Sequence, residues 1–325
     1  MKKFLLIALA LCSMVPAPLN GQDLKDGTRT GRFLEKFLNY LTLDLQALSG
    51  LGPDGWLEMP SYSAASLAGT TTSSLKDLRL LTHRAPMNGE EVRNYTMLYD
   101  PEMYASYWVA YPLCTAHLGT GRDESWAFDP SVEQELQTKL TTGAYGVKLP
   151  SGNYYARGHQ IPNADRNASG LDQMLAQTYY MTNVTPQLQN KLNGGIWSSL
   201  EAAVRKLTSS CDTVYVVTGA AFIKAGTEDT VGTIVNTKDG KTLPVPNYYW
   251  KALLKVHRDQ GSSVSGASAI GFWISHEEHS DSYLNYTVSV DSLEAWTGLD
   301  LFANLPLPLQ QEAESNTAWE VFSKY

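Results

Sequence analysis

Apolar and aromatic runs of strand length recur along this chain and are separated by turn residues rather than by helices. Residues 95–99 and 104–113 flank the turn sequence Asp100-Pro101-Glu102, and this arrangement predicts a β-hairpin. Further strands are predicted at residues 213–222, 248–256 and 267–274. Because these strands do not alternate regularly with helices, we expect an α+β fold with helices flanking a central antiparallel sheet.

Two helices are predicted from the spacing of apolar residues. One covers residues 31–49 and ends at Gly50. Residues 50–75 are rich in Ser, Thr, Gly and Ala, which is typical of a linker. We therefore expect a helical extension and linker over residues 22–75, packed on a main domain over residues 76–325. The second helix covers residues 190–207, with a buried face of Leu192, Ile196, Leu200, Val204 and Leu207.

Residues 1–21 have the pattern of a bacterial secretory signal peptide: Lys2 and Lys3, then an apolar run, then small and turn-forming residues. The sequence therefore predicts an exported protein, periplasmic or extracellular. Cys12 raises the alternative of a lipoprotein anchor, but Leu11 stands before it where a small residue is expected. No apolar run after the signal is long enough to span a membrane.

The composition indicates a folded protein, since 43% of the 325 residues are hydrophobic and 18% are charged. The formal net charge is −8, and it becomes −10 when Lys2 and Lys3 leave with the signal. A protein that coats nucleic acid by bulk attraction is usually basic, so this charge disfavours that class. It remains compatible with an enzyme that has a local cationic cleft and a metal ion.

Two cysteines remain after the signal, Cys114 and Cys211. Export permits a disulfide between them. Both adjoin strand-like runs, so two buried free thiols fit the sequence equally well.

The candidate chemistry lies at two positions, His159 and Asn193. His159 follows Arg157-Gly158 in a polar, glycine-containing stretch that we interpret as a loop, and a histidine has a titration range suited to a general base. Asn193 lies in the predicted helix 190–207 and offers a hard oxygen ligand to a divalent cation. The pair favours a metal-assisted phosphodiester hydrolase, although a lone histidine is more often structural.

Further motifs around this pair resemble those of the DNA/RNA non-specific endonucleases, the ββα-metal (His-Me finger) nucleases that include the Serratia nuclease and endonuclease G. The resemblance covers residues 92 to 275. The family motif is Asp-Arg-Gly-His, whereas this chain has Ala156-Arg157-Gly158-His159. The other motifs, in chain order, are Gly121-Arg122, Thr182–Gln187, Leu192–Glu201, Val216–Gly219 and Val245–Lys251.

The resemblance implies a mechanism. His159 would take a proton from the attacking water, and Asn193 would be the direct protein ligand of Mg²⁺, with Mn²⁺ or another divalent cation as a substitute. Mg²⁺ keeps most of its water shell, so one protein ligand is chemically acceptable. The stretch from Asn183 to Asn193 is one residue longer than in the family, which leaves Asn190 as an alternative ligand. The distances to Trp197 and Glu201 favour Asn193.

Supporting roles are expected for five more residues. Glu201 lies eight residues beyond Asn193, a little over two helical turns, so both would share one side of a helix and Glu201 could hold a water of the metal shell. The alternative for Glu201 is a solvated carboxylate. Arg157 and Arg122 are candidates to bind phosphate, with a surface arginine as the alternative for Arg122. Asn183 and Gln187 are expected to fix the loop around the site.

Several other polar residues resemble site residues at first sight. His276-Glu277-Glu278-His279 lacks the histidine spacing of a zinc protease helix, so we expect a polar loop. Tyr248, Tyr249 and Trp250 could stack on bases, but an ordinary strand beside the core is the better interpretation. Arg166 is expected to form an ion pair with Asp165 or another local acid.

Three functions remain. The first is an exported, Mg²⁺-dependent endonuclease that hydrolyses both DNA and RNA with little sequence specificity, since contacts to phosphate carry no sequence information. The second is a homologue that has lost catalysis and only binds nucleic acid, which Ala156 and the acidic charge would favour. The third is a phosphodiesterase acting on a non-nucleic ester.

Overall fold

The computed structural model describes residues 56–325 apart from Asp123, Val147 and residues 260–262. The predicted signal peptide and the predicted helix at residues 31–49 therefore lie outside the described residues. Within the described part, no helix is both long and apolar enough to cross a membrane.

The elements of this part form an α+β fold, as the sequence predicts. The strands are β1 (Arg79–Met87), β2 (Glu90–Asp100), β3 (Ala105–Leu113), β4 (Tyr155–His159), β5 (Val184–Leu188), β6 (Val214–Ala221), β7 (Thr233–Val235), β8 (Thr242–Pro244), β9 (Tyr248–Arg258), β10 (Val264–Ser275) and β11 (Thr287–Val288). The helices are α1 (Ala64–Leu67), α2 (Asp172–Thr178), α3 (Ser198–Leu207), α4 (Val290–Thr297), α5 (Leu307–Glu314) and α6 (Trp319–Lys324).

Seven strands pair in one antiparallel sheet, in the order β1-β2-β3-β6-β9-β10-β11. The predicted hairpin is confirmed as β2 and β3, and the three other predicted strands are confirmed as β6, β9 and β10. β1 was not predicted. It lies at the edge of the sheet, alternates buried and exposed residues, and carries charges and Pro86, which are typical of an edge strand.

Both faces of this sheet are covered, which explains the continuous apolar runs of the central strands. The first face packs against α3, whose Leu200 and Val204 lie in one core with Leu253 of β9. The second face packs against α4, α5 and the segment before β1, and Leu57 and Leu67 are buried there. Tyr249 and Trp250 are each 1% exposed, so this stretch is a core strand, as predicted.

The segment at residues 56–75 is held to the sheet by one charged contact as well as by apolar packing. Glu58 and Arg93 of β2 form a buried ion pair, and the Arg93 guanidinium lies 4.2 Å from the centre of the Trp56 ring. This part of the predicted linker is therefore ordered against the main domain.

The predicted helix over residues 190–207 is wrong in its first half. Residues 189–197 form an irregular, partly π-helical segment, and regular helix begins only at Ser198. Gly194 and Gly195 have non-helical backbone angles, and Lys191 has a φ of 65°. The apolar residues of this stretch are buried as predicted, but helical periodicity does not relate Asn193 to Glu201.

Within the part of the chain that the structure describes, Arg166 pairs with no carboxylate, contrary to prediction. Its fully buried guanidinium donates to Asn94 Oδ1 at 2.5 Å and to the backbone oxygens of Asn94, Pro112 and Asp165. The Asp165 carboxylate instead accepts from Arg205 at 2.9 Å and from the Tyr111 hydroxyl at 2.8 Å. Arg166 therefore fastens the backbone of β2 and β3 and has no access to substrate.

Cys114 and Cys211 are free thiols and are both partly exposed. Burial raises the pKa of Cys211. Of the two alternatives for these cysteines, the structure has the unpaired one.

Candidate active site

His159 lies on a β-hairpin rather than in a loop, which corrects the prediction. β4 and β5 pair antiparallel, with His159 opposite Val184 and Gly158 opposite Thr185. The glycine is required by this pairing, because a Cβ at position 158 would lie 2.5 Å from Cβ and Oε1 of Gln187. With α3 following β5, the chain forms a ββα unit around His159.

The imidazole of His159 is enclosed by two aromatic rings. The centre of the Trp126 ring lies 5.1 Å from that of His159, and the Tyr179 ring lies 5.2 Å away in an edge-to-face arrangement. Among the described residues, none forms a hydrogen bond with the buried Nε2. Burial, and then the charges of Arg157 and Arg122, lower the pKa of His159 to about 4. The ring is therefore neutral near pH 7, with a nitrogen lone pair available to accept a proton.

The two candidate arginines differ in how firmly they are held. The Arg157 guanidinium stacks on Trp126 at 4.0 Å from the ring centre, and it donates to the backbone oxygen of Leu140 at 3.3 Å. Arg122 is largely exposed and pairs with Glu124, with 2.7 Å between Arg122 Nε and Glu124 Oε1. Both raise the positive potential around His159, but only Arg157 has a fixed position beside it.

Asn183 and Gln187 lie behind the site and are fully buried. The Asn183 side chain accepts from Ile161 N–H at 3.0 Å and donates to the backbone oxygens of Ile161 and Thr178. Its own backbone oxygen accepts from Gln160 N–H. Asn183 thus fixes the turn directly after His159. The Gln187 side chain packs against Gly158, so it sets the spacing of the hairpin.

Asn193 is partly exposed, and its orientation is set by Gln189. Asn193 Nδ2 donates to Gln189 Oε1 at 2.9 Å, while Gln189 N–H donates to Tyr154 O beside β4. Asn190, the alternative ligand, is exposed, and its backbone is bonded to the Asn153 side chain. Gln189 therefore ties Asn193 to the hairpin that carries His159.

The donor set fits a divalent cation that keeps most of its water. With Asn193 Nδ2 occupied by Gln189, the side-chain oxygen is the atom left to act as a hard ligand. A separate group of three acidic side chains, Asp291, Glu294 and Glu314, has carboxylate oxygens within 4.8 Å of one another. That group belongs to α4 and α5, which cover the face of the sheet opposite α3.

Glu201 lies on α3 and is partly exposed. Desolvation by the surrounding protein raises the pKa of the Glu201 carboxyl. The positive charge of Lys251 is the strongest effect that lowers this pKa. It is therefore a partly desolvated acid next to a buried lysine, not the solvated helix carboxylate considered as an alternative.

His276 is a structural residue, since both of its ring nitrogens are hydrogen-bonded to backbone groups. Its Nε2 accepts from Leu188 N–H at 2.8 Å, and its Nδ1 donates to Pro246 O at 2.6 Å. It also contacts the Tyr155 and Tyr249 rings. This histidine joins the end of β5 to the main sheet.

We predict that the protein loses stability as the pH falls from about 6.5 to about 4. Burial lowers the pKa of His276 from 6.5 to about 4, so the unfolded chain binds a proton in this window that the folded protein does not. The shift corresponds to about 3 kcal/mol of the free energy of unfolding. In urea titrations, the variant His276→Gln should be less stable at pH 7 and should depend less on pH.

The exposed His257 provides the control for this measurement. His257→Gln should retain the pH dependence of the natural protein. An unchanged pH dependence in His276→Gln would contradict the assignment.

A cavity of about 520 Å³ adjoins the hairpin, and Ala156, Arg157 and Gln189 contribute to its wall. Lys148 and Tyr145 line its other side. The cavity therefore extends from the residue that orients Asn193 to the arginine beside His159.

Comparison with known proteins decides the family. A family model described as DNA/RNA non-specific endonuclease matches residues 79–307. The chain belongs to this family. A Nostoc nuclease is 30% identical over 263 residues, covering 79% of this chain and 86% of the relative. The Serratia marcescens nuclease is 29% identical over 225 residues, covering 68% and 77% respectively.

A solved structure agrees on the fold. A chain of the EndoG/EndoGI complex superimposes with a TM-score of 0.54 at 21% identity, covering 70% of this chain and 89% of its own. The protein is thus an endonuclease of a family that depends on divalent metal ions. Its hairpin and α3 form the ββα unit expected from the resemblance.

Two residues that position His159 and Arg157 were not recognised from the sequence alone. Trp126 follows the Gly121-Arg122 motif and was given no role from the sequence, yet its ring contacts both of these side chains. Tyr179, which contacts His159 and Trp126, was missed. The aromatic pair Tyr179-Tyr180, placed just before the Asn183 motif, was the only available signal.

Proposed function

We propose that this protein is an exported, Mg²⁺-dependent endonuclease that hydrolyses phosphodiester bonds of both DNA and RNA with little sequence specificity. The observation that supports this most strongly is the buried Nε2 of His159, which has no hydrogen-bond partner among the residues described, beside the fixed guanidinium of Arg157. Relatives named nuclease, in Nostoc and in Serratia marcescens, support the same activity.

His159 acts as the general base in this proposal. Its neutral ring takes a proton from the water that attacks phosphorus, and Trp126 and Tyr179 hold the ring in place for that transfer. A pKa of about 4 keeps the imidazole unprotonated across the neutral range. We therefore expect no loss of activity from His159 protonation until the pH is well below 6.

Asn193 would hold the metal ion through Oδ1, and Gln189 fixes the direction of that side chain. A divalent ion held there would supply positive charge for the phosphate and the leaving oxygen. Arg157 binds a phosphate oxygen, and Arg122 contributes positive potential from the rim. Glu201 accepts hydrogen bonds from water in the site. Because all these groups address phosphate, little base readout is expected.

The nuclease domain is proposed to span residues 76–325, with residues 1–21 as the export signal and residues 22–75 as an extension. Residues 56–75, the part of this extension that the structure describes, pack against the sheet.

Cleavage assays test this function. The purified protein should cut supercoiled plasmid and total RNA in the presence of Mg²⁺ and should stop when EDTA is added. Cleavage that continues in EDTA would refute the metal dependence. Absence of cleavage, while a control nuclease works under the same conditions, would favour the alternatives of a non-catalytic binder or a phosphodiesterase for another ester.

Ala156 is the observation that favours the non-catalytic alternative, because the family motif has Asp there. In this chain, stacking on Trp126 and the bond to Leu140 already hold Arg157. We predict that Ala156→Asp changes kcat by no more than about fivefold, the effect of a partly exposed ion pair worth roughly 1 kcal/mol. Steady-state cleavage kinetics test this; a rise of 100-fold or more would mean that the natural site is impaired.

A further inference from the structure

Lys251 is a buried cation that the mechanism above does not use. It lies in the middle of β9, between Thr218 of β6 and Phe272 of β10, and is 1% exposed. Among the described residues, none accepts a hydrogen bond from its Nζ. Burying an ammonium group without a hydrogen-bond partner is costly unless an opposite charge lies nearby.

The side chain of Lys251 points toward the helix side of the candidate site. Its Nζ lies 5.0 Å from the centre of the Trp197 ring, and that ring also packs on Tyr249. Glu201 follows Trp197 by four residues in the helical part of the chain, so the two share a helix face. Trp197 therefore lies beside the Lys251 ammonium and on the same helix face as Glu201.

The other charged groups near Lys251 are already paired. Asp165 binds Arg205 and the Tyr111 hydroxyl, so its charge is compensated. Glu201 forms no ion pair within the described residues. Among the groups around it, the charge of Lys251 does most to stabilise the ionised form of its carboxyl. The reverse also holds, since the charge of Glu201 does most to stabilise the protonated form of Lys251.

We propose that Lys251 is a positioning residue, whose buried charge balances Glu201 and keeps that carboxylate directed into the active site. Lys251 itself touches neither substrate nor metal. The inference rests on the proposed function for its effect on cleavage, but the charge pairing itself can be measured independently.

A double-mutant cycle tests the proposal. Lys251→Met should lower kcat by about 10- to 100-fold and leave KM little changed. This is the usual loss when a residue that orients the groups around a metal ion is removed. In a Glu201→Gln background, the same lysine substitution should cost less than about threefold, because the charge it balances is gone. Equal losses in both backgrounds, or no loss in the natural background, would overturn the proposal.

Lys255→Met is the matched control. Lys255 lies four residues further along β9 and is also 1% exposed, but it donates to Ser323 O and adjoins Phe322 instead of Trp197. Its substitution should have the same effect on kcat whether or not Glu201 is present.

The same cycle measured by urea unfolding separates this proposal from the proposed function. Each single variant leaves one charge without its opposite charge in a partly or fully desolvated position, so the double variant should be more stable than the sum of the single losses predicts. This coupling is expected even if the protein does not cleave nucleic acid. Additive losses of stability would overturn the pairing of Lys251 with Glu201, whatever the cleavage assay gives. If Lys251→Met alone fails to fold, a double variant that does fold shows the same coupling between Lys251 and Glu201.

Discussion

Replacing His159 with alanine is expected to lower kcat for plasmid cleavage by about 100- to 10,000-fold, the contribution of a general base. The imidazole is neutral at pH 7 and its Nε2 has no hydrogen-bond partner among the described residues, so this nitrogen is free to accept the proton of the attacking water. KM should change little, because phosphate binding depends on Arg157 and the metal ion. Initial rates over a range of substrate concentrations measure both quantities.

Two controls accompany this variant. His257→Ala removes an exposed histidine far along β9 and should leave the rate unchanged. A thermal unfolding curve of His159→Ala should remain cooperative, since no residue in the described part of the chain is hydrogen-bonded to Nε2 of this ring. If His159→Ala keeps more than a tenth of the natural rate, His159 is not the base.

Replacing Asn193 with alanine is expected to cause the second large loss of cleavage activity. We expect kcat at fixed Mg²⁺ to fall by at least about 100-fold, because a metal ion contributes several kcal/mol of charge stabilisation in such reactions. The Mg²⁺ concentration that gives half-maximal rate should rise as well. Titrating cleavage activity with Mg²⁺ measures both changes.

Asn190→Ala is the matched control for Asn193. The Asn190 side chain is exposed, and its hydrogen bonds to Asn153 involve only backbone atoms of residue 190. Its substitution should therefore leave the Mg²⁺ titration unchanged. If Asn190→Ala gives the large loss and Asn193→Ala does not, the metal ligand has been assigned to the wrong asparagine.

The fold was predictable where one physical signal dominated. β2, β3, β6, β9 and β10 are buried on both faces, so their apolar runs are continuous and easily recognised. β1 escaped prediction because an edge strand alternates polar and apolar residues. The helix at residues 190–207 was extended too far because Ile196 and Leu192 keep helical spacing through a backbone that is irregular at Gly194 and Gly195.

The candidate site was predictable as a set of residues but not as an arrangement. The motif around His159 indicated the chemistry, whereas its placement on β4 depends on pairing with β5, about 25 residues further along the chain. The contacts of Trp126 and Lys251 depend on the same long-range packing. Sequence spacing carries no information on such contacts, so both residues gained a role only from the structure.

The most direct test of the central claim is a crystal structure grown with Mn²⁺, in which anomalous scattering locates the ion. The proposal predicts an ion bonded to Asn193 Oδ1, on the side of that residue that faces His159. An ion bound only at Asp291, Glu294 and Glu314, with Asn193 bonded to Gln189 alone, would contradict it.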